Sequence, residues 1–524
     1  MATAYGHRLW TGRVGGGMTN RIVIDPRPAR SAALMPSCHL TKSRYTAGLQ
    51  CLRRLWRLVQ EQCDYEAPSP GSPQAIGEEV GRAAHLLFPG GVTVAEAFSR
   101  HAEAADTTRR LMRDPTVPAV FEAAFEYADI RIRVDVLERL DCGAWGLREV
   151  KAGTRIKDHY LDDVAIQAFV LAEAGVPVAS IEVLHVNTAY VRGADGISWP
   201  EFFARAEVSQ EVRARLAGLA SRLPDMRAAL ARDAAPMVEP GAHCHAPHAC
   251  EFYADCTAAK PADWIAYLPR LAARRAAALA AMGIDTISAI PPEFPLSRQQ
   301  AVIRNVLASG QSYVAPDLAR LLTGFGPPAA YLDFEAMMPP IPLYEGTSPY
   351  QTLPFQWSLH QIDAAGLLSH RDFLAPHEAD PRRAFAESLI AALAGSDAPI
   401  IVYSPYEQTQ LRALAARFPD CAAAIGAIAG RIRDLLPVVR GAVYFPAFAF
   451  GNSIKRVAPA LAPGFGYADL DDVADGTAAA AAFLQMASGQ ADDPARLRAA
   501  LLAYCERDTM AMVEVHRALL RLAG

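Results

Sequence analysis

Hydrophobic and polar positions follow two different periods along the first half of the chain. In “SRYTAGLQCLRRLWRLVQ” the apolar side chains recur every three or four residues, which predicts an amphipathic helix. The segment “FEYADIRIRVDVLERL” instead alternates apolar and polar residues and predicts a β-strand. After the turn-like “DCGA”, “WGLREVKA” predicts a second strand. Helical spacing returns in “DDVAIQAFVLAEAG” and ends at Gly175, so this half is predicted to mix helices and strands.

The last two hundred residues show the same mixture. “AAYLDFEAM” and “APIIVYSPYE” each place a short apolar strand directly before acidic residues, and a long helix is predicted from about Pro494 to Leu520. Between the two mixed regions lies an Ala/Arg-rich stretch with a helical pattern. We therefore predict an α/β, multidomain protein with a disordered extension over 1–36, a domain over 37–260, a helical connector over 261–325 and a second domain over 326–524.

Composition and charge narrow the classes of function. Hydrophobic residues make up 52% of the chain, which is enough for packed cores and excludes a wholly disordered protein. The net charge is −5, so binding to nucleic acid would need local basic patches. The candidates for such patches are Arg53, Arg54, Arg57, Lys455 and Arg456. No long apolar run or signal peptide is evident, so we expect a cytoplasmic protein that does not contact a membrane.

Two predicted strands of the first domain carry the residue types of a metal site. Asp135 lies in “IRVDVL”, and Glu149 and Lys151 lie two residues apart in “REVKA”, so they share one strand face. Two converging carboxylates bind Mg²⁺ or Mn²⁺, which activates water and neutralises phosphate charge. Lys151 would orient that water, His85 would complete the metal shell, and Gln167 would hold the lysine or the scissile phosphate. Alone, an E-x-K pair is typical of a solvated strand face.

A Cys/His-rich loop ends the first domain. Cys244, Cys250 and Cys256 are each separated by five residues, and Cys51 lies nearly two hundred residues earlier. Nine cysteines in 524 residues are too few for a disulfide scaffold. Four thiolates suit either a [4Fe–4S] cluster or structural Zn²⁺. Three interleaved histidines are further possible ligands: His243, His245 and His248.

Residues 37–260 resemble the RecB-like, PD-(D/E)xK nucleases that carry an iron–sulfur cluster, including the CRISPR-associated RecB-like exonucleases and the AddB nuclease domain. The matching segments are “TKSRYTAGLQC”, “GRAAH”, “RVDVL”, “EVK” and “DVAIQAFVL”. The resemblance implies a restriction-endonuclease-like fold, with the four cysteines holding the cluster. It also implies an active site that contains His85, Asp135, Glu149 and Lys151. These relatives usually leave two residues between the first two clustered cysteines, and they often carry Tyr where this chain has Leu171.

The second α/β domain has its own acidic residues. Asp333 and Glu335 in “YLDFEA” share a strand face, Glu407 follows the strand of “VYSPYE”, and Asp508 lies in “YCERD” on the last helix. Four carboxylates from three elements are what a pair of metal ions about 4 Å apart requires. Tyr504 lies one helical turn before Asp508 and would orient the attacking water.

This acidic set resembles that of the DEDD exonucleases of the DnaQ-like, ribonuclease H fold, in the variant with Tyr before the last Asp. “LDFEA”, “PFQWSLH”, “YSPYE”, “RDLLPVVR” and “YCERD” also resemble an uncharacterised domain family found downstream of RecB-like nucleases. The resemblance implies a ribonuclease H-like domain that uses Mg²⁺ or Mn²⁺. Glu407 stands where Asp is commoner, so Asp434 in “RDLLPVV” competes for the third acidic role.

Together these patterns predict a metal-dependent nuclease that hydrolyses phosphodiester bonds of DNA, with two candidate centres, in repair, recombination or defence. The DNA partner would be single-stranded or have free ends, and the sequence leaves protein partners unknown. The alternative is a nucleic-acid-binding module in which one or both centres are inactive and the metal cluster is structural. An iron–sulfur redox enzyme is disfavoured because the chain has no flavin or nicotinamide fingerprint.

Overall fold

The computed structural model describes residues 39–61, 69–470 and 473–524. The extension predicted over 1–36 lies outside the described residues. Residues 39–524 form one compact unit that contains two larger sheets and many helices, so the predicted α/β class is confirmed. Each helix of the described chain is too short or too polar to cross a lipid bilayer.

The strands of the described residues form two larger sheets and a two-stranded ribbon. The first sheet contains β1 (Leu40–Thr41), β2 (Val92–Thr93), β3 (Ala119–Tyr127), β4 (Ile130–Arg139), β5 (Trp145–Lys151), β6 (Val178–Val186) and β7 (Phe203–Glu207). The later strands are β8 (Tyr313–Val314), β9 (Ala329–Met337), β10 (Leu353–Ile362), β11 (Leu368–Leu374), β12 (Ile400–Val402), β13 (Ile432–Asp434) and β14 (Val443–Tyr444).

The helices of the first half surround the first sheet. They are α1 (Lys42–Gln50), α2 (Leu52–Gln60), α3 (Pro73–Ala84), α4 (His101–Arg113), α5 (Asp158–Glu173), α6 (Trp199–Phe202), α7 (Ser209–Leu230) and α8 (Tyr253–Thr257). The later helices are α9 (Ala273–Ala281), α10 (Arg298–Ser309), α11 (Leu318–Leu321), α12 (Arg382–Leu393), α13 (Tyr406–Arg417), α14 (Ala422–Gly430), α15 (Leu436–Ala442), α16 (Ile454–Leu461), α17 (Gly476–Ala487) and α18 (Pro494–Leu522). Short 3₁₀ helices are His85–Leu87, Phe98–Arg100, Ala242–Cys244, Ile265–Tyr267 and Pro446–Phe448.

The first sheet has the strand order β2-β3-β4-β5-β6-β7, with β1 paired to β4. β3, β4 and β5 are antiparallel neighbours, whereas β5 and β6 are parallel and are connected through α5. The interpretation of “FEYADIRIRVDVLERL” as one strand was wrong, because β3 ends at Tyr127 and β4 begins at Ile130. Ala128 has φ 52°, so the chain reverses within two residues. The apolar alternation continues through this tight turn and gives no sign of it.

The second sheet has the order β11-β10-β9-β12-β13, in which β10 is antiparallel to its neighbours and β12 and β13 run parallel to β9. Alternate residues of β9 face two different layers. Leu332 and Phe334 pack in the core formed with α12, α13 and α14. Tyr331 faces the opposite layer, where its hydroxyl lies 2.9 Å from Nδ1 of His516 on α18. Strand alternation therefore places Asp333 and Glu335 between the sheet and α18.

The stretch predicted as a helical connector is helical, and it packs with the second sheet. Leu279 of α9, Ile303 of α10 and Leu318 of α11 are buried in one core with Val513 of α18. The last helix runs from Pro494 to Leu522, which confirms the long helix predicted from the sequence.

The loop between β9 and β10 connects the two halves of the compact unit. The Gly346 N–H donates to the Arg192 carbonyl at 2.8 Å, and the Arg192 N–H donates to the Thr347 carbonyl at 3.0 Å. The Tyr350 hydroxyl donates to the Ala152 carbonyl at 2.5 Å. Ala152 directly follows Lys151, so a loop that starts at the acidic strand of the second sheet ends beside the E-x-K strand of the first.

We predict that Tyr350→Phe lowers the free energy of unfolding by about 1–3 kcal/mol, because it leaves the Ala152 carbonyl without this donor. Urea unfolding at neutral pH measures the change. Tyr313→Phe is the matched control, since its hydroxyl makes no hydrogen bond among the described residues. Equal stability of the two variants would contradict the role given to the Tyr350 hydroxyl.

Candidate functional site

The structure brings Asp135 and Glu149 together, as the sequence predicts. They lie on β4 and β5 beside the Val136–Arg148 pair. Nζ of Lys42, at the start of α1, lies 3.1 Å from Oδ1 of Asp135 and 3.1 Å from Oε1 of Glu149. We call this group, with Lys151, centre one.

Lys151 and Gln167 both contact Glu149. Lys151 Nζ lies 2.7 Å from Oε1 of Glu149 and is also ion-paired with Asp163. Gln167 Nε2, on α5, donates to Oε2 of the same carboxylate at 2.7 Å. Gln167 therefore orients Glu149, whereas the sequence suggested that it would hold the lysine or a phosphate.

His85 makes a different contact from the one expected. Its ring stacks on Phe121, with the ring centroids 3.9 Å apart and the planes 2° from parallel. Phe121 pairs with Val136, whose side chain alternates to the opposite sheet face from Asp135. Among the described residues, no hydrogen bond or ion pair joins His85 to either carboxylate of centre one.

Burial and neighbouring charges shift the pKa values of Asp135 and Glu149 in opposite directions. Burial and the nearby Glu149 raise the pKa of Asp135 to about 7. Burial also works to raise the pKa of Glu149, but the ammonium groups of Lys151 and Lys42 outweigh it, so this pKa lies below its usual range. The pair thus combines a carboxylate with a neighbouring acid that is half-protonated near neutral pH.

Centre one also has unused acceptors. The structure leaves Oδ1 of Asp163 and Oε1 of Gln167 buried without a hydrogen-bond partner. Buried acceptors of this kind are costly unless a cation or water satisfies them. With three carboxylates and two lysines, the group has one negative charge in excess when all its carboxyl groups are ionised, and it is then chemically suited to a further cation.

Sequence reasoning missed two members of this group, Lys42 and Asp163. Asp163 lies one helical turn before Gln167, so its position on the same helix face was readable from “DDVAIQ”. Lys42 lies in “TKSRY”, just before the helical pattern. Its contact with strands about a hundred residues later leaves no signal in the sequence.

The second acidic set also converges, and we call it centre two. One ligand atom from each of Asp333, Glu335 and Cys505 lies within 4.8 Å of the others. Sγ of Cys505, on α18, is 3.8 Å from Oδ2 of Asp333. Asp508 lies three residues further along this helix. Its Oδ1 is buried without a hydrogen-bond partner among the described residues.

All four predicted carboxyl groups of centre two have raised pKa values. Burial and repulsion from Asp508 hold the pKa of Asp333 well above its usual range and raise that of Glu335 to about 8. Burial raises the pKa of Glu407 to about 8 and also raises that of Asp508. Burial is the largest cause of all four shifts, and repulsion within the group adds to those of Asp333 and Glu335, so these negative charges are poorly compensated within the protein.

The structure favours Glu407 over Asp434 as the third acidic residue. The charge of Glu407 raises the pKa of both Asp333 and Glu335. Asp434 affects Glu407, and its Oδ1 accepts a hydrogen bond from the Leu436 N–H at 2.9 Å, at the start of α15. Asp434 thus acts on the group through Glu407, and its side chain caps the first turn of α15.

Two tyrosines and one lysine lie beside the carboxylates of centre two. Lys455 Nζ lies 4.7 Å from the ring centroid of Tyr504 and 5.5 Å from that of Tyr467. Both tyrosines lie next to Asp508 and lower its pKa, against the dominant effect of burial. Tyr504 therefore lies beside Asp508, as its position one helical turn earlier predicted. Tyr467 also lies beside Asp508, and the sequence analysis did not predict it.

All four predicted cysteine ligands line one cavity. Cys51 lies between α1 and α2, and Cys244, Cys250 and Cys256 come from the loop after α7 and from α8. His243 lines the same cavity, whereas His245 and His248 do not. Among the described residues, no three of the four sulfur atoms lie within 4.8 Å of one another.

Side chains of α1 and α2 hold the cysteine loop independently of the thiols. Gln50 Nε2 donates to the carbonyls of His243 and His248 at 2.7 and 2.8 Å. Arg54 pairs with Glu251 at 2.9 Å, and Arg57 pairs with Asp255 at 2.7 Å. These two arginines, which the sequence suggested as phosphate contacts, are ion-paired with acidic residues of the loop and of α8.

Residues 330–453 match the model of a family described as a domain of unknown function (DUF2779). The match covers less than a quarter of the chain and contains Asp333, Glu335 and Glu407, but not Asp508. A comparison with curated proteins finds no match.

The metal-free protein should lose stability as the pH rises from about 5 to about 8. Glu335 and Glu407 have pKa values of about 8 in the folded chain, whereas an unfolded Glu titrates near about 4.3. Within this window the unfolded chain has released protons that the folded chain retains, so rising pH favours unfolding. Thermal melting in EDTA measures the decline, and saturating Mg²⁺ or Mn²⁺ should reduce it.

The Glu335→Gln/Glu407→Gln double variant should flatten this pH profile. Glu387→Gln is the control, since Glu387 is exposed and pairs with Arg383 at 3.0 Å. An unchanged slope in the double variant would show that these carboxyl groups do not titrate as described.

Proposed function

We propose that the protein is a metal-dependent nuclease that hydrolyses phosphodiester bonds of DNA in the cytoplasm, during repair, recombination or defence. Centre two carries the proposal. Four carboxylates are buried together with one lysine beside them, and this arrangement is unstable unless divalent cations or protons balance the charge. Hard divalent cations with oxygen ligands are the usual occupants of such a group.

The strand connections support a specific fold for each half. We propose a restriction-endonuclease-like domain for the first half, since three antiparallel strands are followed by a helix and a parallel strand. We propose a ribonuclease H-like domain for the second half, because β10 alone is antiparallel within the order β11-β10-β9-β12-β13. In both halves the acidic residues lie on central strands, where such folds place their chemistry.

In centre two, Asp333, Glu335, Glu407 and Asp508 would hold the metal ions. Bound metal supplies an activated water and neutralises charge on the phosphate. Tyr504 lies beside Asp508 with its ring under the Lys455 ammonium group, so its hydroxyl is placed to orient the attacking water. The Lys455 ammonium offers positive charge for a substrate phosphate at the same place.

The proposed DNA contact next to centre one is a surface cavity that runs from Lys151 and Asp163 to the cysteine loop. Arg54, Arg222 and His159 line it along with these residues. Arginine and histidine side chains can bind the phosphate backbone and stack on bases without distinguishing one base sequence from another. We propose that a single strand or a DNA end enters this cavity towards Lys151.

Lys42 supports the alternative function for centre one alone. Its ammonium group contacts both Asp135 and Glu149 and thereby occupies the position between them. A divalent cation must compete with this lysine for the same oxygens. Centre one would then bind DNA without cutting it, while centre two performs the hydrolysis.

Oligonucleotides labelled at the 5′ or 3′ end, single- or double-stranded, test the proposed activity with Mg²⁺ or Mn²⁺. Asp508→Asn should reduce cleavage by more than about 100-fold if centre two is the main site, because even outer partners of a metal are worth about 10- to 100-fold. Asp135→Asn reports on centre one in the same assay. Glu387→Gln, a change of an exposed carboxylate, should leave the rate unaltered.

Wild-type cleavage by the Asp135→Asn/Asp508→Asn double variant would refute both centres. Retained DNA binding with no cleavage by the wild type would favour the binding module. Lys42→Met separates the two roles of centre one, since it should increase Mn²⁺-dependent cleavage in the Asp508→Asn background if the lysine blocks the metal.

We also propose that the four cysteines hold a [4Fe–4S] cluster. Tetrahedral zinc with Zn–S bonds of about 2.3 Å needs sulfur atoms about 3.8 Å apart. The four thiols line one cavity but are spread more widely than that, which supports a larger group. The cluster would connect the α1–α2 junction to a loop about two hundred residues later. By analogy with a disulfide this loop closure is worth on the order of 4–5 kcal/mol.

Anaerobically purified protein should contain four iron atoms and four acid-labile sulfides per chain. Cys51→Ser and Cys244→Ser should each remove the iron and lower the melting temperature, because cluster binding contributes to folding. Cys142→Ser is the control, since Cys142 is an exposed thiol outside the cavity. About one zinc and no iron per chain would overturn the cluster and leave a zinc site.

A further inference from the structure

A separate group of metal-ligand side chains lies on the β10–β11 side of the second sheet. His360 and His370 are directly paired across these strands, with ring centroids 4.5 Å apart. Glu506 of α18 lies beside them, with 3.7 Å between His370 Nδ1 and Glu506 Oε1. One ligand atom from each of the three residues lies within 4.8 Å of the other two.

Hydroxyl groups fix both histidine rings. Thr509 Oγ1 lies 2.8 Å from Nδ1 of His360, and Ser358 Oγ lies 2.9 Å from Nε2 of His370. The two hydroxyls are 2.8 Å from each other, which joins them in one network. Each ring is thus oriented through one nitrogen and keeps the other as a ligand, as in metal-binding histidines with outer-shell partners.

The group is closed at one end and open at the other. His360 is 4% exposed, and burial together with the adjacent His370 lowers its pKa to about 4, so the ring is neutral at pH 7. The side chains of His370 and Glu506 are 20% and 52% exposed. A cation can enter from this open side and keep a position for water.

This group borders centre two, since Ser358 pairs with Asp333 across β10 and β9, but its proposed ligands are different residues. Glu506 and Asp508 are two residues apart on α18, which directs their side chains about 200° apart around the helix axis. The histidines lie on β10 and β11, whereas Asp333 and Glu335 lie on β9. The donor sets differ as well, since centre two is rich in carboxylates and this group has two imidazoles and one carboxylate.

We propose that His360, His370 and Glu506 bind one Zn²⁺ ion, or a transition-metal ion of similar ligand preference. The bound ion would connect α18 to β10 and β11. Two imidazoles and one carboxylate with an open fourth position form a common zinc donor set. Mg²⁺ prefers oxygen ligands and near-octahedral geometry, so this group discriminates against the ion that suits centre two.

Equilibrium dialysis and metal analysis test the proposal. They measure the Zn²⁺ bound by the full-length, iron-loaded chain in excess Mg²⁺. The wild type should retain one more Zn²⁺ per chain than His370→Ala, and Glu506→Gln should weaken that binding by at least about 10-fold. His377→Ala is the matched control, since His377 is a surface histidine that lies 3.7 Å from Glu378. Asp508→Asn should keep the extra zinc, which separates this group from centre two.

Added Zn²⁺ should also raise the melting temperature of the wild type and of His377→Ala, but not that of His370→Ala. Melting of all three proteins in EDTA shows whether the substitutions themselves disturb folding. If His370→Ala and Glu506→Gln bind as much zinc as the wild type, with equal affinity, the assignment is overturned. If Asp508→Asn abolishes the extra zinc, the ion belongs to centre two and the proposal fails.

Discussion

The repulsion among buried carboxylates between β9 and α18 is the constraint on which the second half of the structure depends. Asp333 and Glu335 lie on the same strand face as Tyr331, and α18 covers that face through His516 and Cys505. At the low effective dielectric of an interior, like charges a few ångströms apart repel strongly. Apolar packing holds α18 over this face, so the helix confines charges that only protons or added cations can balance.

The same strand connects the two halves of the protein. β9 leads directly into the loop that pairs with Arg192 and ends at Tyr350, whose hydroxyl contacts the carbonyl after Lys151. The loop therefore joins the strand that carries Asp333 and Glu335 to the backbone that follows Lys151.

Local patterns were sufficient to predict how Asp333, Glu335 and Asp508 lie on their strand or helix, although Asp163 was missed. Alternation in “YLDFEA” fixed the shared face of Asp333 and Glu335, and helical spacing placed Tyr504 one turn before Asp508. Contacts between distant segments were not predictable, since nothing near Lys42 encodes its approach to β4 and β5. The hairpin turn at Ala128 was not predicted for a different reason. The alternation of apolar and polar residues continues from β3 into β4 and so does not mark the turn.

The two centres differ most in how far the protein neutralises its own charge. Centre one sets Lys42 and Lys151 against three carboxylates, and these contacts lower the pKa of Glu149 despite its burial. Centre two has Lys455 alone beside four carboxylates, and every one of them has a raised pKa. A divalent cation therefore gains more electrostatic energy at centre two, whereas at centre one it must also displace an ammonium group. The difference in charge balance favours centre two over centre one for the proposed divalent cation, and a cation bound there would stabilise the packing of α18 over β9.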